Sequence, residues 1–221
     1  MLQTLRAMGG VHQAEDFISE KPDYTIPICG DYKGTELVEH PPNAQGATAI
    51  LMLNMLSHFN LSGLDPFGAQ RTHIEAEIAK LAYNARNRFI ADPRHMARED
   101  YLTDPKTATA LAALVNPSSV IQAVDRITET VHKDTIYITV VDKDRMAVSL
   151  IYSIFNGFGS GIASEKFGIL FQNRGAGFNL TPGHPNELGG GKRPMHTIIP
   201  GMLRQYQRML MTFGVMGGQY Q

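Results

Sequence analysis

The sequence predicts an α+β protein, and three observations carry that expectation. Two stretches of alternating pattern, 136–141 and 146–152, flank a polar turn at 142–145. Between 68 and 89, Ile74, Ile78, Leu81, Ala82, Ala85 and Phe89 recur at three- and four-residue spacing. The opening region, 1–40, is punctuated by Pro and Gly around further strand-like residues.

In chain order, 1–40 begins with a short helix, breaks at Gly9-Gly10 and continues as strand through Tyr24, Ile26, Ile28 and Tyr32 to Leu37. The loop Pro41-Pro42-Asn43-Ala44-Gln45-Gly46 reads as a rigid lead-in to a helix over 47–59, with Ile50, Leu53, Met55 and Leu56 available for burial. The helix over 68–89 carries Arg71, Glu75, Lys80, Arg86 and Arg88 on its other faces, where they are expected to be solvated. His73 with Glu75 or Glu77 suggests a metal site, but the second histidine one turn away that a zinc helix needs is missing. After Asp92-Pro93 two more helices are expected, 107–115 and 118–130, separated by Asn116-Pro117-Ser118-Ser119. The strands on either side of 142–145 then form a hairpin, expected in the core, whose pairing brings Ser153 level with Thr135. From spacing alone those are two β-tolerant residues at strand ends.

Length and composition limit the function classes. A chain of 221 residues, 43% hydrophobic, can bury a core of one large domain or two small ones. A formal charge of −1 gives no electrostatic case for nucleic acid or an anionic membrane, and no apolar run reaches the roughly 18 residues of a membrane span. Cys29 stands alone, which fits a cytoplasmic, reducing compartment and is compatible with a periplasmic or secreted location. The first residues lack the apolar region of a signal peptide.

Two glycine-rich stretches invite nucleotide readings, and both fail. Gly157-Phe158-Gly159-Ser160-Gly161 lacks Gly or Ala at the last position of a dinucleotide fingerprint. In Gly189-Gly190-Gly191-Lys192-Arg193 a phosphate loop would need Gly where Asn186 stands and Ser or Thr where Arg193 stands.

Asp134-Thr135 before a strand ending Val-Val-Asp-Lys-Asp, then Ala-Val-Ser, Tyr-Ser and Gly-Phe-Gly-Ser-Gly-Ile, resembles the start of the small subunit of the gamma-glutamyltranspeptidase family. Those are N-terminal nucleophile hydrolases, which cut themselves before a threonine and use its hydroxyl in catalysis. Gly191-Lys192-Arg193-Pro194 and the later Gly217-Gly218 follow in the family's order, and the similarity runs over essentially the whole chain. The resemblance implies a four-layer αββα sandwich incomplete at both ends. It divides the chain into 1–134, the mostly helical C-terminal part of a large subunit, and 135–221, the β-rich N-terminal part of a small one. It further implies autoprocessing between Asp134 and Thr135, Thr135 as nucleophile, Ser153 as its hydroxyl partner, and Gly217 and Gly218 as oxyanion donors. An alcohol is barely ionised at neutral pH and needs a base in reach, which the α-amine freed on Thr135 would supply.

Phe155, Asn173, Arg174, His196 and Thr197 occupy positions that border the family's substrate pocket, and the 41–46 loop has a counterpart at its mouth. Departures matter too. Phe155 replaces an asparagine, Arg145 replaces a turn glycine, and Gln172-Asn173-Arg174-Gly175-Ala176-Gly177-Phe178 lacks the paired aspartates that hold a substrate's α-ammonium. That string resembles the gamma-glutamyltransferase-like, cephalosporin acylase-like branch, in which glutaryl-type acyl groups fit. The implied partners are therefore a small-molecule acyl donor, gamma-glutamyl or glutaryl, with water or an amine as acceptor, and in the complete parent a heterodimer of processed subunits; no cofactor or metal is implied. The competing expectation is a truncated, non-catalytic chain that only packs against a partner, and the 221-residue chain alone is expected to stay largely uncut.

Overall fold

The computed structural model describes residues 1–98, 100–122 and 135–218. The first part of the chain holds α1 (Leu2–Ala7), α2 (Glu15–Ile18), β1 (Ile28–Tyr32), β2 (Thr35–Glu39), α3 (Gly46–Leu56), α4 (Ala69–Phe89) and α5 (Pro105–Ala112). From Thr135 onward come β3 (Thr135–Val141), β4 (Ala147–Ser153), β5 (Ala163–Ser164), β6 (Ile169–Leu170), β7 (Gly201–Gln205) and β8 (Arg208–Phe213). The α+β class holds.

A four-stranded antiparallel sheet in the order β1-β2-β7-β8 forms the middle of the molecule. Each outer pair is a tight hairpin. Lys33 and Gly34 turn β1 into β2 at φ 54° and 82°, and Tyr206 and Gln207 turn β7 into β8 at 49° and 62°. Two consecutive positive φ values match the twist of the flanking strands, even where the residues are not glycine. Between the hairpins, β2 meets β7 in register from Glu36↔Arg204 to Val38↔Met202, so each side of Thr135 contributes two strands to one sheet.

Helix α3 lies on the β1–β2 side of this sheet, and α4 and α5 pack against α3. Leu51 and Met55 of α3 pack with Ile74 and Ile78 of α4 and with Ala108 of α5, all at 5% exposure or less. Fully burying a Leu or Met side chain of this kind contributes about 1.5–3 kcal/mol. Asp104 caps α5, its carboxylate accepting from Lys106 N at 2.8 Å, and Pro105 takes the first helical position. Two charged residues of α4 are buried, Arg86 against the expectation that it is solvated, and Glu77. Glu77 and Arg86 are each 1% exposed. Glu77 accepts from Lys80 Nζ and from the Ile121 amide, both at 2.6 Å, and Arg86 donates to Gln45 Oε1 at 2.7 Å. Buried charges need such partners, and periodicity does not reveal them.

The opposite face of the sheet receives the β3–β4 hairpin. Ser149 Oγ donates to the carbonyls of Gly201 and Phe213, at 3.1 and 3.3 Å, and the Thr139 and Thr212 hydroxyls bond each other. The layers are thus helices, sheet and hairpin. The expectation of a hairpin in the core is corrected on its outer face, where Ile136, Ile138, Val140, Val148, Leu150 and Tyr152 are 45–65% exposed. These six sit opposite one another in the pairing, so a continuous apolar face is open, while Ile151 on the inner face is buried.

Other expectations shift locally. Tyr24 and Ile26 are exposed ahead of the first strand, which starts at Ile28. Residues 118–122 form a turn, a bend and irregular backbone rather than the start of a helix, and the remainder of that expected helix lies outside the described residues. Arg145 adopts φ 67°, the left-handed conformation expected where relatives have glycine. Asp142 supports it by accepting from the amides of Asp144 and Met146, at 2.9 and 2.8 Å.

Candidate active site

The period of two along β3 and β4 and the short Asp142-anchored turn fix a pairing in which Thr135 lies directly opposite Ser153. Thr135 donates its hydroxyl hydrogen to Ser153 Oγ at 3.1 Å. Ser153 Oγ also accepts the Phe155 amide at 3.1 Å, because Phe155 turns the chain back at φ 79°. The two bonds orient the Thr135 oxygen. Asp134, the other half of the expected cleavage site, lies outside the described residues.

The segment after β6 lies against this turn. Asn173 Oδ1 accepts the Asn156 amide at 3.1 Å, and the Asn173 amide donates to the Ile154 carbonyl at 3.2 Å. Asn173 therefore clamps two backbone segments together. Its neighbour Arg174 is 7% exposed, with its guanidinium 5.0 Å from the centre of the Phe155 ring. Its amide bonds Gln172 Oε1, while neither Nη1 nor Nη2 has a hydrogen-bond partner among the described residues. Burial pulls its pKa down to about 10, which leaves it a cation at neutral pH.

His196 and Thr197 are carried by a loop that the 41–46 turn holds in place. The His196 amide donates to the Asn43 carbonyl at 2.7 Å, Asn43 Nδ2 donates to the Pro194 carbonyl at 2.6 Å, and Gln45 Nε2 donates to the Thr197 carbonyl at 2.7 Å. The 41–46 turn is thus both helix lead-in and clamp on the site. Burial, then the charges of Arg174 and His40, push the His196 imidazole down to about 3, so it is neutral. Phe155, Gly177, Met195 and Thr197 share the wall of a cavity of about 480 Å³ that extends to Arg86 and His184.

Gly217 and Gly218 take φ 116° and 71°, conformations that suit glycine. Thr212 faces Thr139, and a Cβ on Gly214 would fall 2.5 Å from the Tyr137 ring, so each step along β8 moves back along β3 toward Thr135.

Two organising residues escaped the sequence. Asn186, 6% exposed, donates to the Gly177 carbonyl and accepts the Met195 amide, both at 2.8 Å, joining two walls of the cavity. Asp92, 2% exposed, accepts the Arg193 amide at 3.0 Å and the Arg94 guanidinium at 2.8 and 3.0 Å, fixing the Gly-Lys-Arg-Pro run. Polar residues in loops have no periodicity, so the sequence offers only their position beside a proline, Pro93 after Asp92 and Pro185 before Asn186.

A family model described as gamma-glutamyltranspeptidase matches residues 1–221, the whole chain. The chain is 31% identical over 218 residues to a glutathione hydrolase-like proenzyme of Bacillus subtilis, covering 98% of this chain and 41% of that protein. It is 35% identical over 222 residues to an oxamate amidohydrolase proenzyme of Klebsiella pneumoniae, covering 100% of this chain and 41% of that one. A crystal structure of cephalosporin acylase from Bacillus halodurans superimposes with a TM-score of 0.87 at 33% identity, over 97% of this chain and 38% of that chain. The chain therefore spans about two fifths of the length of the relatives it matches.

Proposed function

This chain belongs to the gamma-glutamyltranspeptidase family, and from that premise we propose that it is the central part of a self-processing enzyme that transfers an acyl group from an amide to water or an amine. The observation that carries the reading is the Thr135–Ser153 hydroxyl pair at 3.1 Å, on the first and last residues of a registered hairpin.

In the proposed processing, Thr135 Oγ attacks the Asp134 carbonyl carbon, the peptide C–N bond breaks and an ester forms. Water hydrolyses that ester and leaves a free α-amine on Thr135. In turnover the same oxygen attacks the donor's carbonyl carbon while its proton passes to the α-amine. The backbone amides at Gly217 and Gly218 donate to the oxyanion. Collapse breaks the donor's C–N bond, with the proton going to the departing amine, and water or an acceptor amine then takes the acyl group from Thr135. Ser153 orients the nucleophile; Phe155, Asn173, Arg174, His196 and Thr197 border the acyl group.

The donor is a gamma-glutamyl or glutaryl amide. Relatives named glutathione hydrolase-like, amidohydrolase and cephalosporin acylase support amide cleavage, and the word proenzyme in two of those names supports processing. In this reading 1–134 closes a large subunit, Thr135 opens a small one, and the two stay together as a heterodimer. A fourth, helical layer on the open apolar face of β3–β4 would complete an αββα sandwich.

Intact-mass spectrometry and N-terminal sequencing of the full-length protein test the proposal. Cleavage giving a new terminus Thr-Ile-Tyr-Ile is expected, and Thr135→Ala abolishes it. The 221-residue chain alone stays largely uncut, because its hairpin lacks cover on one face. A full-length protein that folds but remains intact overturns the nucleophile assignment.

A further inference from the structure

The paired backbone of the central sheet ends at Phe213, since the last rung between β7 and β8 is Gly201↔Phe213. Residues 214–218, which carry Gly217 and Gly218, lie past the end of that ladder. What meets them from the nucleophile strand is Tyr137. Its ring lies against Gly214, where a Cβ would fall 2.5, 2.7 and 3.0 Å from Cδ2, Cε2 and Cγ. The φ of Gly214 is outside the left-handed region, so it is the ring and not the backbone conformation that leaves no room for a side chain there.

The hydroxyl end of Tyr137 is held as well. Ser149 Oγ gives its one hydrogen to the carbonyls of Gly201 and Phe213, at 3.1 and 3.3 Å, so in its 3.1 Å contact with Tyr137 Oη the tyrosine is the donor. The bonds run from Tyr137 through Ser149 to the carbonyl just ahead of Gly214. The period of two along β3 puts Thr135, Tyr137 and Thr139 on one face, and Thr139 meets Thr212 of β8. Roughly 7 Å of strand separates Thr135 from Tyr137. The three residues from Gly214 to Gly217 reach at most about 10 Å, enough to cover that distance. The ring is thus a fixed point three residues ahead of Gly217, on the side of β3 where Thr135 stands.

We propose that Tyr137 is a positioning residue for acyl transfer, its ring setting the height of residues 214–218 over β3 so that the amides at Gly217 and Gly218 meet the oxyanion formed at the carbonyl under attack by Thr135. This rests on the acyl-transfer reading and adds to it a residue that acts through another segment. Oxyanion donors work only at the right distance. Losing one costs on the order of 100-fold in kcat or more, and a displacement of about 1 Å has a similar effect. The charge they meet develops in the transition state, so the loss falls on kcat and not on KM.

The test uses the full-length enzyme as wild type, Tyr137→Phe, Tyr137→Leu and Gly214→Ala, on gamma-glutamyl p-nitroanilide and glutaryl p-nitroanilide. Rates are expressed per cut molecule, counted by intact mass, so that a change in processing does not pass for a change in turnover. Tyr137→Leu removes the flat ring and should lower kcat about 100-fold with KM within about threefold. Gly214→Ala keeps the tyrosine but forces the segment off the ring, and kcat should fall at least about 10-fold. Tyr137→Phe keeps the ring and loses only the bond to Ser149, so its kcat should stay within about fivefold of wild type. An unchanged kcat in Tyr137→Leu, an equal loss in Tyr137→Phe, or a loss that appears in KM alone overturns the inference. Should wild type cleave neither amide, the acyl-transfer reading falls and backbone amide exchange decides the hold of Tyr137 on this segment. Peptides spanning 214–218 should then exchange about 10-fold faster in Tyr137→Leu and Gly214→Ala than in wild type, with those of α4 unaltered, and equal exchange refutes it. If Tyr137→Leu does not fold, Gly214→Ala decides through both readouts.

Discussion

Replacing Glu39 with Gln should make the folded chain more stable at neutral pH and remove a pH dependence that the wild type shows. Glu39 ends β2 at 2% exposure on the wall of a largely apolar cavity of about 480 Å³ between α3 and the sheet, beside Leu203, Met211 and Phe213. Its Oε2 has no partner among the described residues, and neither has Oγ1 of nearby Thr48. Burial raises the carboxyl to about 8, with the His40 amide opposing only in part. The folded chain therefore holds a proton that the unfolded chain releases above its ordinary value of about 4.5. Stability is full below that value, falls as pH rises toward 8 and levels off beyond. At pH 7 the loss is on the order of 3 kcal/mol relative to acid, from about 1.4 kcal/mol per pH unit. Gln keeps the shape and an oxygen for the His40 amide but has no proton to lose. Urea denaturation of both proteins between pH 5 and 8 is the assay, and the wild-type curve should slope downward relative to Glu39→Gln. Parallel curves would show that Glu39 is ionised in the fold, and the cavity would then have to be wetter than its lining suggests.

Two further outcomes follow from other contacts. Asp92→Asn should cost about 1–3 kcal/mol at neutral pH, since it weakens bonds to Arg94 and the Arg193 amide. The Arg94 guanidinium, against opposing burial, holds the Asp92 carboxyl well below the usual carboxylate range. Its contribution is therefore present above about pH 4 and fades as pH falls below that, so wild type and variant should converge in acid denaturation. In the full-length enzyme, glutaryl amides should be hydrolysed at least as efficiently as gamma-glutamyl amides, because no acid near Gly175 to Gly177 pairs with an α-ammonium. A strong gamma-glutamyl preference in paired kcat/KM measurements would refute that.

What the sequence disclosed were the features set by local chemistry. The facing of Thr135 and Ser153 was legible because a period of two and a short turn allow few registers, and α4 because its apolar residues repeat at the helical period. The partnership of β2 with β7 was not, since it joins Leu37 to Leu203 across most of the chain and no local pattern encodes it. The open face of the hairpin was hidden for a related reason: Ile136, Ile138 and Val140 look the same in sequence whether another layer covers them or not. The resemblance singles out Arg174, but its burial and the lack of partners for Nη1 and Nη2 among the described residues are visible only in the structure.

The shared sheet has a thermodynamic consequence for a chain cut before Thr135. Strand β2 would remain hydrogen-bonded to β7, so the break severs no rung of the ladder and the two pieces stay joined along that seam. Separation would require the β2–β7 seam, from Glu36↔Arg204 to Val38↔Met202, to open, while each hairpin could stay paired. Folding of the uncut chain is a one-body equilibrium, whereas melting of the cut form releases two bodies. Its midpoint would then rise with protein concentration, as that of an obligate dimer does. Once diluted and unfolded, the pieces would have to find each other again by diffusion, so the cut form would be held together largely by how slowly its sheet opens.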